Sequence, residues 1–534
     1  MTSSTSTYGS DSSNESKLMA YITSLILMAS GFFNKSPYLR KMTTKPKTHL
    51  STPVSNYISQ SETMKAHVAV LPSPGMGPII PLLELAKQLV VRHGIHVSLL
   101  NITTEASAAQ NQLLHSPTLP PNLKVIDLPL VDISALVTED AGIVTRLCIN
   151  VQESLKPLKS VLIELGKPQA LIIELFWTQA FEICNELSIP TYMLFTCSTA
   201  FLAFTLYLPT LDREVECEYV DLPEPVQAPG CTPIRIEDLL DQVRNRKIDE
   251  YKWVLFHFNR TPLATGIFLN SWEDCETALL KAIRELPFYK QIATPPVHPV
   301  GPLIKEDEPL TELGAKCVAW LDKQPLDSIL LVSLGSGGTL TAQLTELAWG
   351  LELSQQRFIL VARKPTDGSA SGSFFNVDGD VNDPKAYLPE GFIERTKGVG
   401  LVVPSWAPQV AVLRHPSTGV FLSHYGWNST LESIIYGVPM IAWPLYAEQK
   451  MNAAMLVEEV GVAVKPMVGE GKGVVEREEI ERMVRMVMEG EEGKAIRGRA
   501  KELEHSASQG LNFGGSSYES LFCVVKEWTT SDQI

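Results

Sequence analysis

A chain of 534 residues is too long for one ordinary core, so two domains are expected. Its 45% hydrophobic and 20% charged residues are those of a globular protein and exclude global disorder, while a formal charge of −15 excludes the basic face that a nucleic-acid backbone requires; small-molecule chemistry is the expectation. The eight cysteines (Cys148, Cys184, Cys197, Cys217, Cys231, Cys275, Cys317, Cys523) form no CxxC pair and no His/Cys cluster at metal-ligand spacing, which predicts buried free thiols in a reducing compartment and no metal site.

Residues 1–63 differ in kind from the rest. "MTSSTSTYGSDSSNES" is Ser/Thr-rich and is expected to be disordered. The apolar run Leu18–Phe33 that follows is about one turn short of a comfortable membrane span. Its basic residues (Lys35, Arg40, Lys41, Lys45, Lys47) lie after the run, the reverse of a secretory signal peptide. Three readings stay open: an upstream extension before a start at Met64, an organellar transit segment, or an anchor whose positive flank would hold the body in the cytosol. Membrane association is expected only if Leu18–Phe33 inserts, and organellar targeting only if residues 1–63 are a transit segment; otherwise the protein is expected to be cytoplasmic, and a monomer is the expectation throughout.

From residue 64 to 302 short apolar runs ("HVAVLP", "HVSLLN", "LKVIDLP", "ALIIEL", "TYMLF", "GIFLN") alternate with helical patterns, the mark of a parallel sheet covered on both faces. The spacing predicts a first helix over Ile79–Val90 with Leu82, Leu85, Ala86 and Leu89 on one stripe and Pro78 in its first turn. Phe195, Phe201 and Phe204 would either line a flat apolar slot or belong to the core. His67 begins the first strand, roughly 20 Å from the strand's far end at ~3.3 Å per residue, and is expected to be structural.

A Pro-rich acidic linker at 303–315 precedes a second series at 316–510 ("SILLVSLGSGG", "RFILVAR", "GLVVPSW", "GVFLSHYG", "PMIAWPL"). The fold class is therefore α/β, two doubly wound Rossmann-like domains in tandem with the ligand cleft between the carboxyl ends of their sheets. The segment Lys364–Tyr387 reads as a long polar loop. Residues 511–534 form a closing helix and tail, whose apolar stripe spacing alone cannot place.

The densest signal runs from Trp406 to Gln449, "WAPQVAVLRHPSTGVFLSHYGWNSTLESIIYGVPMIAWPLYAEQ". "GVFLSHYG" is a strand ending in a glycine turn, and "NSTLESIIYG" is the helix it feeds, whose first N–H groups would form an anion site. Ser429 and Glu432 could instead be a capping box needing no ligand. Capping does not explain His424, Trp427 and Asn428 at the strand end, the upstream Trp–Ala–Pro–Gln turn, or the later Glu–Gln pair. Together these suggest a diphosphate cradle, an aromatic platform and partners for sugar hydroxyls.

With these residues, with "PVGPL", "SLGSGGT" and the late "GGSS", the chain from about His67 to Trp528 resembles the plant family 1 UDP-glycosyltransferases, and within them the enzymes that glucosylate phenols such as hydroquinone and monolignols. The resemblance implies a GT-B type glycosyltransferase that uses UDP-glucose as donor substrate, needs no separate cofactor, and transfers glucose with inversion to a small phenolic acceptor. It also implies roles. Trp406 would stack on uracil, Ala407 would bond its edge through the backbone, and Gln409 and Glu432 would hold the ribose. Ser336, His424, Asn428 and Ser429 would bind the diphosphate, and Trp427, Glu448 and Gln449 the sugar. The family usually has Cys where this chain has Tyr425, which would either crowd the donor or point into the core.

The resemblance also locates a departure. Attack by a neutral hydroxyl needs a base, which in the family is a His after "GMG" oriented by an Asp at the end of a later strand. Here those positions hold Pro78 and Glu174. Proline can neither accept a proton nor donate an N–H. Either Glu174 acts directly, or turnover is impaired, or the protein is a catalytically silent UDP-sugar binder. A nicotinamide enzyme is excluded because no G-x-G-x-x-G follows a strand with an acidic residue downstream.

Overall fold

The apolar runs form two all-parallel sheets. The computed structural model describes residues 66–138, 141–305, 310–335, 341–365, 383–467 and 474–530. In the N-terminal half, β1 (His67–Leu71), β2 (His96–Ile102), β3 (Leu123–Leu128), β4 (Ala170–Ile173), β5 (Thr191–Phe195), β6 (Gly266–Leu269) and β7 (Val297–Pro299) pair in the order β3-β2-β1-β4-β5-β6-β7. In the C-terminal half, β8 (Ile329–Ser333), β9 (Arg357–Ala362), β10 (Gly400–Pro404), β11 (Thr418–Ser423), β12 (Met440–Ala442) and β13 (Ala463–Val464) pair in the order β10-β9-β8-β11-β12-β13. This is the tandem Rossmann-like, GT-B type architecture. Strand order reverses between β1 and β4 in one sheet and between β8 and β11 in the other, and ligands of such sheets bind outside the carboxyl ends at those points.

Both faces of each sheet are buried, which is why the strands read as unbroken apolar runs and not as alternating ones. Along β1, Val68 and Val70 join Leu82, Leu85 and Leu89 on one face, while Ala69 and Leu71 join Val151, Leu158 and Phe204 on the other. Along β8, Ile329 and Leu331 meet Leu431 and Leu503, whereas Leu330 and Val332 meet Leu347 and Val484.

The first helix spans Met76–His93, longer than the predicted Ile79–Val90, and Pro78 lies in its first turn as the sequence indicated. Pro81 lies deeper inside it. A helix begins at Glu312, inside the stretch read as linker, because Thr311 caps it by accepting from the Gly314 N–H at 3.1 Å. The closing helix Ser516–Thr530 returns to the N-terminal half, where Leu521, Val524, Val525 and Trp528 pack with Val68, Val70 and Leu82. The Trp528 ring meets Tyr192 edge-on at 5.3 Å. No helix among the described residues is long and apolar enough to cross a membrane. Leu18–Phe33, Ser336 and most of the loop Lys364–Tyr387 lie outside the described residues.

Candidate active site

Four strand ends converge on the site: those of β1 and β4 from one half, β8 and β11 from the other. Three of the loops on the C-terminal side contain a non-glycine residue in the left-handed region, Ser405 (φ 61°), Tyr425 (φ 68°) and Ala447 (φ 55°). These residues immediately precede Trp406 and Glu448 and immediately follow His424. Backbone held in this region costs of order 1–3 kcal/mol and persists only where its surroundings enforce it.

Past β10, Trp406 is 59% exposed, an open aromatic face, while Ala407 is buried beneath it. Gln409 donates from Nε2 to Ser429 Oγ (2.9 Å) and to Glu432 Oε2 (2.7 Å), which joins three of the anticipated residues into one cluster. Burial pushes the Glu432 carboxyl up to about 7, against the opposing effects of Gln409 and Lys305. The capping-box alternative does not hold: the helix starts at Trp427, its N-cap is Gly426 with no side-chain cap, and Ser429 lies inside it. The leading N–H groups therefore have no side-chain acceptor and remain available to an anion.

His424 lies between two glycines. A Cβ on Gly335, whose φ is +71°, would come 2.6 Å from its Cε1, and one on Gly426 would come 2.6 Å from its Nε2. Burial lowers its pKa to about 4, so the imidazole is neutral near pH 7, and Nδ1 has no hydrogen-bond partner among the described residues. Tyr425 turns the other way. It is fully buried in the core, so of the two alternatives the core one holds and it does not crowd the donor side.

Three side chains differ from the simplest reading of the motif. Trp427 is 3% exposed and donates its indole N–H to the Asn270 carbonyl at 2.7 Å, which ties the halves together and leaves its ring largely covered. Asn428 donates to the Gly77 carbonyl at 2.9 Å. That carbonyl is free because Pro81, four residues on, has no N–H to give it. Gln449 is buried, its Oε1 accepting from the Leu445 and Tyr446 N–H groups at 2.9 and 3.1 Å, so only its NH2 end can meet a ligand. Glu448 faces the N-terminal half, bonded by Cys197 and by Asn452 Nδ2 at 3.4 Å, and burial raises its pKa.

On the acceptor side Pro78 and Glu174 stand at neighbouring strand ends, yet they do not form a pair. Glu174 is 5% exposed. Its Oε2 accepts the Ser73 hydroxyl at 2.6 Å and the Phe176 N–H at 3.1 Å, so it caps the short helix Leu175–Trp177. Burial raises its pKa and these bonds oppose the rise. The carboxylate has closed on Ser73, a partner the sequence reading missed although Ser73 stands two residues past β1. Phe195, Phe201 and Phe204 are all core, not slot. His67 is structural, its Nε2 within 2.9 Å of Ser98 Oγ. A cavity of about 820 Å³ lined by Ile149, Trp253 and Phe256 belongs to other helices and includes none of the anticipated residues.

The sequence reading also missed Arg363, directly past β9, whose NH1 donates to the Gly335 carbonyl at 3.1 Å. Its signal was the lone cation ending "RFILVAR". Among the described residues no group of three or more His, Cys, Asp or Glu could hold a metal ion.

Residues 279–495 match the family model "UDP-glucoronosyl and UDP-glucosyl transferase". The chain is 44% identical over 471 residues to anthocyanidin 3-O-glucosyltransferase 5 of Manihot esculenta, covering 88% of this chain and 96% of that one. It is 45% identical over 466 residues to the hydroquinone glucosyltransferase of Rauvolfia serpentina, at 86% and 97% coverage. Among solved structures, UGT2 of Phytolacca americana complexed with UDP-2fluoro-glucose and pterostilbene superposes with a TM-score of 0.78 at 42% identity, over 87% of this chain and 100% of that one.

Proposed function

Because the chain belongs to the UDP-glucosyl transferase family, we propose that it transfers glucose from UDP-glucose to a hydroxyl of a small phenolic acceptor, with inversion and with no cofactor besides the donor. The observation that carries this reading is the exposed Trp406 face beside the Gln409–Ser429–Glu432 cluster, next to a helix whose first N–H groups lack a side-chain cap. In this reading uracil stacks on Trp406 and bonds the Ala407 backbone, while the ribose hydroxyls meet Gln409 and Glu432. The diphosphate lies on the helix start at Asn428 and Ser429, beside His424 and the Ser336 loop. Glucose meets Glu448 and the NH2 end of Gln449. Trp427 serves by fixing Asn428 through its bond to Asn270.

The acceptor oxygen bonds to the anomeric carbon as the bond to UDP breaks, and the departing diphosphate takes its charge onto N–H donors already oriented for it. What is lacking is a base. Pro78 offers none, and Glu174 is bonded to Ser73 and caps a helix turn. Acceptors that ionise readily are therefore favoured. The same observation supports a second reading, a UDP-sugar binder without turnover.

The test is UDP release from UDP-glucose with phenols of graded acidity, on the native chain and on a Pro78→His, Glu174→Asp variant. The native chain is expected to use only the more acidic phenols, and the variant to gain on the order of 10²–10⁴ in rate on the weaker ones. Equal rates in both would refute the missing-base account. No turnover by the native chain on any phenol, with UDP bound, would establish the second reading.

A further inference from the structure

We propose that Arg363 supplies the positive charge of the donor site, its guanidinium acting as counter-ion to the diphosphate of a bound nucleoside diphosphate. The inference rests on the donor-site reading above and adds to it a residue outside the Trp406–Gln449 run.

Three observations converge on it. Arg363 stands at the carboxyl end of β9, next to β8 in the sheet, and its described hydrogen bond is to the Gly335 carbonyl. Gly335 is the residue against which the His424 ring is packed, so cation and cradle share one neighbour. The guanidinium is half-buried and forms no ion pair among the described residues; the titratable groups facing it are the Tyr387 and Tyr446 phenols, and burial raises the Tyr387 pKa. A half-buried cation with no counter-ion among the described residues is costly, and an anion arriving nearby lowers that cost. The cradle needs such a charge. His424 is held neutral by its burial. The helix start contributes only the fractional charge of its dipole, about half an elementary charge. A diphosphate carries considerably more than that can balance.

The experiment compares UDP with uridine by calorimetric titration of the full chain and of its Arg363→Gln and Arg363→Lys variants. Uridine contacts the same base and ribose residues and lacks the diphosphate. Arg363→Gln is expected to weaken UDP binding roughly 10–100-fold while leaving uridine within about twofold, and to flatten the salt dependence of UDP binding. Arg363→Lys, which keeps the charge without the planar fork, is expected to fall between. Equal losses on UDP and uridine would mean that Arg363 merely props the Gly335 turn, and no loss on UDP would mean that the charge is not used; either overturns the inference. If Arg363→Gln does not fold, the UDP-to-uridine ratio of Arg363→Lys decides, and an unchanged ratio overturns it. A native chain that binds uridine and UDP equally also overturns it. A native chain that binds neither fails the donor-site reading itself, a different result.

Discussion

Glu432 is where a local pattern and a tertiary cluster compete for the same residues. The S-x-x-E spacing that suggested a cap is real, but the helix begins at Trp427, which leaves Ser429 and Glu432 facing Gln409, twenty or more positions back along the chain. Burial holds the Glu432 proton up to about 7, against an ordinary carboxyl value of 4.5. Between those values the folded protein binds more protons than the unfolded chain, so this group's contribution to stability falls as pH rises through the window. Binding runs the other way. On the proposed donor reading a ribose diol donates to the carboxylate, so uridine affinity is expected to rise about tenfold between pH 6 and pH 8, with proton release, and the rise should vanish in Glu432→Gln. Uridine is the proper probe because a terminal phosphate itself titrates near pH 6. A flat profile in the native chain would show that the protonated acid holds the ribose. Tyr425 shows the limit of a residue-level reading: family comparison flagged it, but only the backbone turn at φ 68° decides that its ring enters the core.

Among elements, the closing helix was the least legible. Its apolar stripe was plain, yet nothing in the spacing of Leu521, Val524, Val525 and Trp528 says which half it covers. The chain crosses back through the helix Glu491–Leu511, where the Trp272 indole donates to Ser506 Oγ at 2.9 Å, and so Trp528 completes the first core and not the second. Trp528→Ala should cost about 3–5 kcal/mol by chemical denaturation, with the loss seen in the N-terminal half. A cost under about 1 kcal/mol would mean the helix is only loosely attached. The Met76–His93 helix carries the opposite lesson. Its first turn was readable from Pro78, but the consequence of Pro81, a carbonyl left open on Gly77 for Asn428 of the other half, requires both halves in place.

Across the whole molecule the residues from Met64 onward form one compact unit, and the curated relatives align over 86–88% of the chain while being covered over 95–98% of their own length. A chain starting at Met64 is therefore expected to bind UDP within about twofold of the full chain and to melt at the same temperature, read by titration and calorimetry. A marked loss of either would give residues 1–63 a part in the fold. The halves themselves are held by pairs that span the crevice, Trp427 to Asn270, Asn428 to Gly77, and Ser198 Oγ to Asn452 Oδ1 at 3.0 Å. The Asn428–Gly77 bond brings the start of the Trp427–Ile435 helix next to Pro78.

The sequence by itself determined the two parallel sheets and the stretch Trp406–Gln449 in which most of the proposed site residues lie. Apolar runs buried on both faces require helices packed against both sides of a parallel sheet, and the proposed site residues fall mostly in one continuous stretch whose strands and helices are set by local pattern. Tertiary structure alone decided that the Trp427 indole ties to Asn270, that Glu174 closes on Ser73 across 101 positions, and that Asn428 reaches Gly77 across 351. It likewise brought Arg363 beside the cradle. Such partners are chosen by how the strand ends of two separately folded sheets come together, and no local propensity along the chain encodes that meeting.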